Sequence, residues 1–72
     1  MEMVLAIEKV RDCISKADDY KQNAVQLLDA PNADNLTVAA GNLFAANNWL
    51  YEALRTLEEF SFEQKAKQRA EE

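Results

Sequence analysis

Leu36-Thr37-Val38-Ala39-Ala40-Gly41-Asn42-Leu43-Phe44-Ala45-Ala46-Asn47-Asn48-Trp49-Leu50-Tyr51-Glu52-Ala53-Leu54-Arg55-Thr56-Leu57-Glu58-Glu59-Phe60 is the stretch that decides the fold. Within it Leu36, Ala39, Leu43, Ala46, Leu50, Ala53, Leu57 and Phe60 follow one another at alternating steps of three and four. Only an α-helix brings such positions into one line, so the spacing predicts a helix over about 36–60. Phe44, Tyr51 and Leu54 lie on one flank of the line and Trp49 on the other, which widens the apolar arc to roughly 220° at ~100° per residue. A helix packed on a single neighbour needs about half of that. More than one neighbour is therefore expected, through self-assembly or a bound partner. Leu36, Ala39, Leu43, Phe44, Ala46, Leu50, Ala53, Leu54 and Leu57 would form the interface.

The same steps recur upstream in Met3, Ile7, Val10, Ile14, Ala17, Lys21, Ala24 and Leu28, predicting a first helix over about 3–29. Ala6, Cys13, Tyr20 and Leu27 widen one side of this stripe and Val25 the other. Glu2, Glu8, Arg11, Asp12, Ser15, Asp18, Asp19 and Gln22 take the wet face, where Asp12 can pair with Lys9 or Lys16. Pro31 must end the helix, because it lacks an N–H and disfavours helical geometry at Ala30. The turn falls at about 30–35, with Asp34 or Asn35 as the cap of the next helix. A connection of about six residues makes two helices antiparallel neighbours, each roughly 40 Å long. The expected fold is all-α: an antiparallel helical hairpin, one domain over residues 1–72, assembling into a dimer or larger helical bundle.

Ala at every second seam position should let the helices approach closely while Leu fills the gaps between Ala layers. Ser61-Phe62-Glu63-Gln64 has the capping-box pattern, so the polar tail 61–72 either starts a short third helix or continues the second. Gly41, mid-helix at a cost of about 1 kcal/mol relative to Ala, suggests a close approach by a neighbouring helix or a ligand.

Composition narrows the function classes. The chain has 72 residues, 49% of them hydrophobic, with one Gly, one Pro and no His. It is near the lower limit for folding without disulfides or metal. Without His, the usual zinc ligands and the commonest general base are missing, so neither a metal, a cofactor nor an enzymatic activity is expected. Cys13, the single cysteine, fits a reducing compartment and reads as a small hydrophobe at the edge of the first helix. No segment reaches the ~18 apolar residues of a membrane span, and residues 1–7 are too short and too acidic for a signal peptide. The net charge of −5 opposes binding to duplex nucleic acid or anionic membranes. Basic residues cluster late, at Lys65, Lys67 and Arg69. A soluble, intracellular protein is expected.

Two polar residues interrupt the apolar stripes: Lys21 between Ala17 and Ala24, and Asn47 between Leu43 and Leu50. An antiparallel hairpin places Lys21 across from about Phe44, within one helical turn of Asn47. Three readings stay open. Asn47 can fix register or oligomer state while Lys21 snorkels to the edge. Alternatively Lys21 and Asn47 form a ligand site, with Tyr20, Trp49 or Tyr51 as a stacking surface and Arg55 as a second cation. Or the seam is simply loose there.

The stretch from Thr37 to Leu54 resembles the second helix of a phage helical-hairpin family, matching at Thr37, Ala39, Leu43, Ala46, Trp49 and Ala53. It departs from that family at Gly41-Asn42, where a Thr-Lys pair is usual. Members of the family are cyclic-oligonucleotide sponges that sequester the signals of bacterial anti-phage immunity. The resemblance implies a non-enzymatic phage or bacterial protein that acts by sequestering a cyclic oligonucleotide. The alternative is a helical chaperone or inhibitor whose apolar arc covers a helix or basic surface of a host protein.

Overall fold

A computed structural model describes residues 2–71. Two helices, α1 (Met3–Leu27) and α2 (Ala33–Glu71), pack side by side as an antiparallel hairpin. Among the described residues there is no strand.

The turn is shorter and earlier than the sequence suggests. The backbone N–H of Leu28 donates to Ala24 and Val25, that of Asp29 to Gln26, and that of Ala30 to Leu27, which winds α1 down before Pro31. The cap of α2 is Asn32, not Asp34 or Asn35. Its Oδ1 accepts from the N–H of Asn35 at 2.9 Å, and its carbonyl accepts from Leu36. Asn35 acts from inside the helix: its Nδ2 donates to the Ala30 carbonyl at 2.7 Å, bridging the proline. Asn32→Ala should therefore cost about 1 kcal/mol, seen as a lower midpoint in thermal melts followed by circular dichroism.

α2 does not stop at Phe60, nor does a third helix begin at Ser61. It runs unbroken to Glu71, because nothing between Ser61 and Ala70 is a Gly or Pro. α1 begins only at Met3, opposite about Phe60, so the last turns of α2 extend past it with Phe62 exposed.

Burial shows which rows meet. On α1 the buried residues are Ala6, Val10, Cys13, Ala17 and Ala24; on α2 they are Ala39, Ala46, Ala53 and Thr56. These are the a and d positions of one heptad pattern, and nearly all are small. Close approach of two backbones, rather than interlocking of large side chains, holds the hairpin. The one buried hydroxyl, Thr56 Oγ1, donates to the Glu52 carbonyl at 2.9 Å and so leaves no unsatisfied group. Cys13 lies within the seam rather than at its edge, packed with Val10 and Ala53 beneath Trp49.

The expected single line of Leu and Ala on α2 is thereby split. Ala39, Ala46 and Ala53 are at most 6% exposed, whereas Leu36, Leu43, Leu50 and Leu57 are 49–51% exposed. The two rows stand about 50° apart around the helix, and a single neighbour covers only one of them fully. The leucines do not fill gaps in the seam; they flank it. Ile7 and Ile14 of α1 occupy the corresponding e positions, as does Leu28 just past its end, and the three are 40–52% exposed.

Gly41 meets no neighbour within 4 Å of where a Cβ would sit, so α1 does not approach it. Gly41→Ala should stabilise the helix by about 1 kcal/mol, raising the denaturant midpoint without changing the slope.

Candidate functional site

Antiparallel helices of one heptad pattern bring e positions against e positions on one broad face and g against g on the other. The two faces differ. On the g face, Lys9 Nζ lies 3.3 Å from Glu52 Oε1 across the seam, and Lys16 Nζ sits 4.4 Å above the Trp49 ring while pairing with Asp12 at 3.1 Å. Tyr20, Asp19 and Asn23 line a shallow hollow beside Lys16 and Trp49. On the e face lie the half-exposed Ile7 and Ile14 of α1, Leu28 just past its end, and the leucine row of α2.

Lys21 and Asn47 share a second hollow, on the e face, with Leu43 and Leu50 at its rim and Ala17 and Ala46 at its floor. Lys21 Nζ is held 4.0 Å from Asp18 Oδ1. The other residues singled out from the sequence go elsewhere. Tyr20 and Trp49 belong to the opposite face, and Tyr51 and Phe44 point away from α1. Arg55 donates to Glu59 at 3.2 Å, and that hydrogen bond, with the charge of Glu59 and then of Glu52, raises its pKa. The six candidate ligand residues therefore occupy three places rather than one.

Lys16 is absent from the sequence-derived set, because an i,i+4 pair with Asp12 already accounts for it. Its contact with Trp49 depends on how the helices are rotated. The signal was there in part: Lys9 and Lys16 are one heptad apart, as are Glu52 and Ala45 on the facing flank. Lys9 likewise leaves its expected partner Asp12 for Glu52.

Among the described residues no group of three Cys, Asp or Glu side chains is placed to hold a metal, and no helix is long and apolar enough to cross a membrane. No family model, curated protein or solved structure matches the chain.

What the geometry can do is associate. A cation tied to its own carboxylate, one amide and a row of aliphatic side chains make a surface for packing, with a single polar spot inside it.

Proposed function

We propose that this is a non-enzymatic binding protein of phage or bacterial origin, which acts as an assembled helical bundle by sequestering what it binds. One observation carries the proposal: Ile7, Ile14, Leu28, Leu36, Leu43, Leu50 and Leu57 all stand about half exposed on the same flank of the seam. A contiguous apolar face of this kind marks an association surface. The Lys21–Asn47 hollow opens on that face, so any molecule covering the face would enclose it. With the resemblance of α2 to the sponge family, this supports a cyclic oligonucleotide as the captive ligand, its apolar base edges against Leu43 and Leu50 and its polar groups toward Lys21 and Asn47.

Native mass spectra of the protein, alone and mixed with a panel of cyclic di- and trinucleotides, test this. A discrete oligomer that gains the mass of a nucleotide is expected. A discrete oligomer that gains nothing removes the nucleotide, and a monomer that gains nothing removes sequestration by assembly altogether. Asn47→Leu should abolish nucleotide uptake while leaving helicity unchanged, because Asn47 is exposed in the single hairpin.

The same face fits the second reading, a chaperone or inhibitor that covers a helix of another protein. In that case the purified chain alone should be unstable or aggregate, since its apolar row would stay in water.

A further inference from the structure

We infer that the apolar e face is covered by a second, antiparallel copy of this chain, with the twofold axis crossing at Ile14 and Leu50. This rests on the association reading above and names its partner and geometry.

Three apolar positions per heptad are what a helix of a four-helix bundle carries, whereas a two-helix seam uses only a and d. The hairpin supplies half of such a bundle. Its opposite face is occupied by the Lys9–Glu52 ion pair and the Lys16–Trp49 contact. A twofold contact on the e face uses the same surface of both copies, so assembly through that face closes at two. The hairpin measures 60 × 16 Å along its two longest axes. That is room enough for the ~800 Å² per partner of a stable interface.

Charge sets the direction. Arg11 and Asp18 lie on the rim of this face, one turn to either side of Ile14. Arg11 has no ion-pair partner among the described residues, and Asp18 has only Lys21 at the limit of contact. Laying α1 antiparallel on its copy about Ile14 brings each Arg11 to the Asp18 of the other copy, forming two pairs at once. A separate feature agrees. The turn end of the hairpin carries Asp29 and Asp34 with no basic residue between 22 and 54. With both turns at one end these like charges would meet, whereas an antiparallel copy keeps the two acidic turns apart. It also lays Lys65, Lys67 and Arg69, which Glu63 and Glu71 flank, near the partner's turn. Leu50 stands level with Ile14 in the hairpin, so one axis crosses both.

Sedimentation and cross-linking of the full chain test the arrangement. The wild-type protein should have the mass of two copies. Arg11→Asp and Asp18→Arg should each weaken the dimer by ~10-fold, because each change disrupts two pairs, and the double exchange should restore most of the loss. In a Cys13→Ala background, Ile14→Cys should form a disulfide with its own copy on mild oxidation, whereas Leu28→Cys, far from the axis, should not. A discrete dimer whose Ile14→Cys variant stays reduced and whose charge exchange restores nothing overturns this geometry, while the association reading stands. A monomer at every concentration overturns both.

Discussion

Ala46→Leu is expected to destabilise the hairpin by about 1–3 kcal/mol. Ala46 is buried in the middle of the seam, where it and Ala17 floor the same hollow and the two backbones run close together. The larger side chain must push the helices apart along their length, because small residues above and below hold the backbones close. For a domain of this size each kcal/mol lowers the melting temperature by about 4–8 °C, so the loss is easily read by circular dichroism. Ala66→Leu is the control: Ala66 lies on the exposed extension of α2 and its change should stay within about 0.5 kcal/mol. Equal effects at the two positions would mean that close approach of the helices is not what holds them.

Leu50→Glu should have the opposite character, sparing the single hairpin and breaking the proposed assembly. Leu50 is half exposed beside α1, so one hairpin loses little by the exchange. Covered by another molecule, the same position would bury a carboxylate where about 1.5–3 kcal/mol of apolar burial had been. In a symmetric dimer the change occurs twice, so the dissociation constant should rise by at least about 100-fold. Sedimentation should show the mass of one chain at micromolar concentration. The wild-type melting temperature should climb with protein concentration, and that of the variant should not. If mass and concentration dependence are the same for both, the leucine row is not an interface.

The hairpin was legible because two signals agreed: steps of three and four on both sides, and Pro31 between them. The width of the arc also pointed to surface left over after one neighbour had packed. The rotation of the helices was hidden. Leu43 and Ala46 satisfy the same periodicity, and which of them faces α1 depends on the partner helix, not on the stretch that contains them. The cap was misplaced for a local reason. Asp34 and Asn35 stand nearer the first apolar residue, but Asn32 reaches the free N–H groups because Pro31 has already fixed the turn. The capping-box pattern at Ser61 misled because the same residues sit equally well on the wet side of a helix that has no cause to end.

For the candidate site, the juxtaposition of Lys21 and Asn47 followed from antiparallel register alone. The separation of Trp49 and Tyr20 from them did not. These aromatics lie just across the seam from that hollow, and two sides of a row of alanines differ only once the row is known to face inward.

The make-up of that row also bears on how the helices are held lengthwise. Val10, Ala17 and Ala24 repeat every seven residues, and so do Ala39, Ala46 and Ala53. Small, nearly featureless side chains offer few notches, so sliding one helix by a heptad past the other would bring alanine to alanine again. Two things oppose the slide. Lys9 meets Glu52 and Lys16 meets Trp49 together in only this register, and the short connection through Asn32 and Asn35 leaves no slack. The seam supplies adhesion, while a five-residue link and two lysines, each with its own counterpart, keep the two helices from slipping along each other.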